Sequence, residues 1–226
     1  MNAIYDIHTH KHFTQEAIIN ASLNDMPLNK DFYYSIGLHP WNLNINNIED
    51  TLKNIESLAS SADNIIAIGE CGLDSNINIP LEIQLYVFER HILLSEKLKK
   101  PLIIHCVKRS EDILRLHKKY NPNMPWIFHG FRSNINVLNN IIKNDNIYIS
   151  IGEKFNAETI LNILNEKILI ETDESELTIE YISKKVAEAR KQSHESFLEI
   201  INKNTSIIFK NTLIHSALHY LMFIIG

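Results

Sequence analysis

Apolar residues along this chain come in short runs separated by longer amphipathic stretches. The runs are 3–7, 17–23, 32–38, 65–70, 101–106, 125–130, 146–152 and 167–173. Each is five to eight residues long and rich in β-branched or aromatic side chains, the composition of strands buried on both faces. From residue 46 onward the intervening segments carry helical spacing. One has Ile48, Leu52, Ile55 and Leu58 on a stripe. The segment 80–100 opens on Pro80 and ends in lysines, both suited to a helix's two ends. Further helices are predicted over 110–120, 134–144, 156–165 and 178–203, the last continuing into the terminal segment.

Eight strands with helices between them predict an α/β fold, a (β/α)8 TIM-type barrel. The beginning departs from it. Nine residues separate the first two runs and eight the next two. A helical crossover with its loops needs roughly a dozen or more. The first two crossover helices are therefore expected to be missing or shortened.

Composition narrows the picture. The chain has 226 residues, 45% of them hydrophobic, and no linker or repeat, so residues 1–226 are expected to form a single domain. A net charge of −5 argues against a protein held by charge to a long nucleic-acid duplex or an anionic membrane. Two separated cysteines, Cys71 and Cys106, predict unpaired thiols in a reducing compartment, and no leader pattern is seen, so the cytoplasm is the expected location. The C-terminal stretch is apolar, but Lys210, Asn211, His215 and His219 interrupt it. A helix packed on a domain is expected there rather than a membrane span. The abundant Asn and Ile are read as compositional bias.

The polar residues within this pattern converge. His8, His10, His39, Glu70, His105, His129 and Asp173 all sit toward the C-terminal ends of runs, which in a parallel barrel open on one face. Asp6, His8 and His10 are spaced two apart. Strand alternation puts them on one side, with Ile7 toward the helices. Two neighbouring imidazoles form a chelate for a divalent cation. Asp6 is expected to orient an imidazole from behind, and His12 to face solvent. Glu70 can bridge two cations. Asp173 can bind one and accept a proton from water. Glu171 shares the strand face of Asp173, one layer deeper, as a buried partner. Cys71 and Cys106 alternate away from Glu70 and His105 and are expected to pack outward.

The ordered set DIHTH, GLHP, IGECGLD, IIHC, HGF and ETD resembles the TatD family of metal-dependent hydrolases. The likeness runs from Asp6 to about Phe209. It implies a barrel with two divalent metal ions, Mg²⁺, Mn²⁺ or Zn²⁺. It implies that His8, His10 and Asp173 hold one ion, that His105 and His129 hold the other, and that Glu70 bridges. His39 and Arg132 resemble positions beside a substrate phosphate. The activity implied is deoxyribonuclease or exonuclease cleavage of phosphodiesters, with Asp173 and Glu70 as the catalytic carboxylates. The substrate is then DNA ends, single-stranded DNA or a small phosphodiester, with no membrane and no obligate protein partner. Departures from the family pattern fall around the ligands. HGFRS stands for HGFRG and ETDES for ETDAP, and VKRS after IIHC shifts the basic residue to Lys108 or Arg109. The tail from Asn211 also runs past the usual end. Two other readings use the same residues: hydrolysis of a lactone or amide, and a non-catalytic metal-binding relic.

Overall fold

The computed structural model describes residues 3–225, with side chains described for 3–210. Eight parallel strands close into a barrel in sequence order. They are β1 (Asp6–Thr9), β2 (Ala17–Ala21), β3 (Tyr33–Ile36), β4 (Ile65–Asp74), β5 (Leu102–Val107), β6 (Trp126–Phe128), β7 (Ile147–Ile151) and β8 (Ile168–Ile170). Every expected run holds a strand. The helices are α1 (Ile48–Ser61), α2 (Leu81–Leu98), α3 (Ser110–Tyr120), α4 (Ile135–Ile141), α5 (Ala157–Ile160), α6 (Ile179–Ala189) and α7 (His194–Ile225). No helix joins β1 to β2 or β2 to β3, so the short connections act as their lengths demand.

One helix expected over 178–203 is two. Arg190 closes α6, Lys191 takes a left-handed φ of 56°, and Ser193 accepts from Ser196 N to start α7. The segment over 156–165 keeps one α turn and a 3₁₀ turn, Asn165–Lys167. Several asparagines serve as caps. Asn134 accepts from the backbone of Asn136 and Val137, and Asn156 does the same for Glu158 and Thr159.

The core has two parts. Ile36, Ile68, Ile104, Phe128, Ile149 and Ile170 face outward and pack against helix residues such as Leu52, Ile55, Phe88 and Ile92. A smaller cluster joins Ile7, Ile18, Ile66, Ile103, Ile127 and Leu169. Ile103, Ile127 and Leu169 each lie two residues before His105, His129 and Glu171, so this cluster fills the barrel beneath the mouth. Ile208 and Phe209 of α7 join it and close the floor.

Ile7 in that cluster overturns the expectation that it faces the helices. Between Asp6↔Ala17 and Thr9↔Ile19, β1 spends three steps against two on β2. The extra residue is a bulge, and it turns Ile7 and His8 to the same, inner side. Asp6 is left off the axis. Its carboxylate touches no imidazole. It accepts from Thr172 N at 3.0 Å, Thr172 Oγ1 at 2.6 Å and His8 N at 3.4 Å, stitching β1 to the chain after β8.

The apolar tail continues α7 to Ile225. Its side chains, and Gly226, lie outside the described residues. Among the described residues no helix is long and apolar enough to cross a membrane.

Candidate metal centre

Glu70 is the hub. It sits on β4 at 5% exposure, held among histidines. Two glycines let the backbone approach: a Cβ on Gly69 would stand 2.5 Å from Ile103 O, and one on Gly72 would overlap His105 O. The two carboxylate oxygens divide their neighbours. Oε2 lies 3.3 Å from His8 Nε2 and 3.5 Å from His10 Nε2. Oε1 lies 2.7 Å from His129 Nε2, 2.9 Å from His105 Nδ1 and 3.1 Å from His39 Nε2. Asp173 completes the first set, with Oδ1 3.6 Å from His8 Nε2 and 3.7 Å from His10 Nε2. It is held by chain pairing. Asp173 N donates to His8 O at 2.9 Å, and Asp173 O accepts from His10 N at 3.1 Å.

The donor set suits a divalent cation. Three groups bring their nitrogen and oxygen atoms within 4.8 Å of one another: His8 with His129 and Asp173, His8 with His10 and Glu70, and His39 with Glu70 and His105. His8 is wholly buried, yet neither ring nitrogen has a hydrogen-bond partner. Such a group normally costs about 1–3 kcal/mol unless something binds it.

Charge tells the same story. Burial alone would raise the Glu70 carboxyl, but His129 and hydrogen bonds from His10, His105 and His129 hold it well below the ordinary range. Burial would lower His129, yet the Glu70 and Glu171 carboxylates hold it well above. The pocket keeps an anion and favours positive charge beside it, the role a divalent cation fills.

The ring nitrogens turned away from the centre separate the histidines. His129 Nδ1 faces Glu171 Oε1 at 3.3 Å, and that oxygen also accepts from Gly130 N at 2.6 Å. His105 Nε2 faces Asp74 Oδ2 at 3.0 Å. In each, a carboxylate faces the outer nitrogen; with the proton held there, the inner nitrogen would be free to bind a cation in place of its bond to Glu70, the usual support of a ligating histidine. His39 differs. Its Nδ1 accepts from Trp41 N at 3.1 Å, so the proton of the neutral ring sits on Nε2. His39 is thus a donor toward the centre.

Glu171 fills the buried place expected of it. Asp74 was not singled out by the sequence, although it follows Glu70 by four positions on one strand face. It is buried and also accepts from Trp41 Nε1 at 2.8 Å and Asn76 N at 2.7 Å. His12 does not simply face solvent. It is half-buried, and its Nε2 lies 3.0 Å from Ser175 O, which ties the β1 loop to the β8 loop. Glu174, which replaces alanine of the family pattern, lies 3.5 Å from His10 Nδ1. Cys71 packs in the outer core as expected, and half-buried Cys106 packs against it.

An open cleft of about 590 Å³ runs from His105, His129 and Asp173 across the β5–β8 side of the mouth. Exposed Arg132 lines it, with Lys108 and Lys154. Arg109 instead pairs with Asp112 at 3.5 Å.

The family model described as TatD related DNase matches residues 10–210. An uncharacterized metal-dependent hydrolase of Bacillus subtilis is 30% identical over 203 residues, covering 80% of this chain and 78% of that protein. A 3′-5′ ssDNA/RNA exonuclease TatD of Erwinia billingiae is 34% identical over 84 residues, 36% of this chain and 32% of its own. Among solved structures, a TatD homologue from Escherichia coli shares the fold with a TM-score of 0.77. It covers 92% of this chain and 98% of that one at 17% identity.

Proposed function

Because this chain belongs to the TatD related DNase family of metal-dependent hydrolases, we propose that it cleaves phosphodiester bonds at the ends of single-stranded nucleic acid, DNA first among them. The observation that carries this reading is the division of Glu70 between two sets of ligating groups. In the proposed site His8, His10 and Asp173 would hold one cation, His105 and His129 a second, and Glu70 would serve both. Mixed nitrogen and oxygen donors suit Mg²⁺, Mn²⁺ or Zn²⁺. Such ions, when bound, activate water and neutralise charge that builds on phosphoryl oxygens.

The chain supplies the remaining parts. Asp173, whose side chain is part-exposed at the mouth, takes the proton of the attacking water as the P–O bond to the leaving sugar oxygen breaks; that oxygen takes a proton from solvent, and Asp173 returns its own there. His39 donates its Nε2 proton to a phosphate oxygen. Arg132, on the cleft wall, pairs with the same group. Asp74 and Glu171 hold the outer protons of His105 and His129, so those rings neither rotate nor change tautomer. The whole chain, 1–226, acts as one hydrolase domain. The unpaired thiols fit a reducing compartment, the cytoplasm.

The test is hydrolysis by protein supplied with Mg²⁺ or Mn²⁺, on end-labelled single-stranded DNA, duplex DNA, a small phosphodiester and a lactone. Shortening of the single strand is expected. His8→Ala and Glu70→Ala should each lose more than about 100-fold, beyond the loss typical of an outer-shell change. Full turnover by either variant would sink the site assignment. Activity confined to the lactone would replace the substrate, and failure to take up metal on titration would leave only a non-catalytic relic.

A further inference from the structure

We infer that Trp41 is the platform on which the base next to the scissile phosphate stacks, across the mouth from the cationic cleft. The inference rests on the nuclease reading and names a substrate contact within it.

Trp41 is 68% exposed, although an indole ordinarily buries most of its surface. It is nevertheless held at two points. Its backbone N–H donates to His39 Nδ1 within the 3₁₀ turn Pro40–Asn42, and its indole N–H donates to Asp74 Oδ2 at 2.8 Å. The ring stands at 88° to His39 with centroids 5.2 Å apart, and 6.1 Å from His105. A ring held this way loses little freedom when a ligand covers it. The hydrogen bond to Asp74 needs only a donor. Apart from its contacts with His39 and His105, most of the indole surface is open to solvent among the described residues.

Position selects what covers that face. Trp41 and His105 share Asp74 Oδ2, so the indole is one side chain removed from the centre. It follows β3, and Lys154 follows β7. Those strands lie four apart in a closed barrel of eight, on opposite sides of the mouth. Lys108, Arg132 and Lys154 line the cleft, and none has an ion-pair partner among the described residues. A phosphate over the centre, a flat ring on Trp41 and further phosphates along the cleft describe a single strand of nucleic acid. Stacking on an aromatic platform tolerates any base.

The test compares oligodeoxynucleotides that carry either a normal base or an abasic residue at the end being cleaved. The wild type should prefer the base-bearing end through KM. Trp41→Ala should raise KM for that end about tenfold and collapse the preference, the loss falling on KM rather than kcat. Trp41→Phe can stack but cannot bond Asp74, and should restore most of the preference. Binding gives a second readout. Trp126 is fully buried, so quenching of indole fluorescence reports on Trp41, and an oligonucleotide should quench where inorganic phosphate does not. Equal losses by Trp41→Ala on both ends would overturn the inference, as would Trp41→Phe failing as badly as Trp41→Ala. Either result would leave Trp41 as a mere prop for Asp74 while the nuclease reading stood. A wild type that neither binds nor cleaves any oligonucleotide would remove both.

Discussion

Asp74 shows how much one side chain behind His105 can decide. The backbone of β4 stays extended as far as Asp74 because Gln84 clamps it, accepting from Asp74 N at 2.8 Å and donating to Asp74 O at 3.1 Å. The carboxylate then serves His105, Trp41 and the Asn76 backbone together. Burial alone would raise its carboxyl, but these bonds hold it below the usual range. Asp74→Asn preserves the shape and removes the charge behind His105. It should cost about 10- to 100-fold in metal affinity or turnover. Calorimetric titration with Mn²⁺ would measure the first, and a thermal melt should show the fold little changed. The alternation that identified Glu171 pointed equally to Asp74. The sequence does not mark it, because the apolar run stops at Glu70 and a strand's end cannot be placed without its clamp.

Among the elements, β1 departs from its sequence pattern in a way that moves named residues. Strict alternation would put Asp6 beside His8 and turn Ile7 outward, but the bulge faces Ile7 and His8 inward. α2 carries the testable case. Its His91 is buried, accepts from Leu38 N at 3.0 Å on Nε2, and donates from Nδ1 to Val87 O at 2.8 Å. This bond joins α2 to the loop that carries His39. A second proton would point at the Leu38 N–H, and burial pushes the imidazole down to about 4. The unfolded chain takes up that proton near the ordinary value of about 6.5, so stability is full above it. The His91 contribution should fall as pH drops from 6.5 toward 4, by up to about 3 kcal/mol. Buried Asp6, raised to about 7, shifts stability the other way over the same range, so the His91 slope is read as the difference in urea midpoint between wild type and His91→Gln.

For the whole molecule, two properties follow from how the barrel is closed and charged. The floor is sealed by Ile208 and Phe209 from α7, far along the chain from the strands they cover. Phe209→Ala should cost about 3–5 kcal/mol in a denaturant titration, the loss typical of a buried aromatic ring. Net charge of −5 coexists with a local line of cations at the mouth. If Lys108, Arg132 and Lys154 each neutralise one phosphate, affinity for a single strand should fall with salt at a log–log slope of about −2. A much steeper slope would mean a longer nucleic-acid groove than this surface provides.

The sequence by itself determined the strands, the absence of two crossover helices and the set of histidines and acids gathered at one end. These follow from local facts: strand runs are marked by their own composition, a short connection cannot hold a helix, and barrel strand ends converge. What only the tertiary structure decided depends on contacts between distant segments. The bulge in β1 exists because that strand must pair with β2 while sending both Ile7 and His8 inward. Asp6 serves the seam with Thr172 rather than a histidine, and His12 reaches Ser175, because the first strand meets the last only when the barrel closes. Trp41 belongs to the mouth for the same reason: its donor finds Asp74 on the neighbouring strand, a pairing that no spacing along the chain contains.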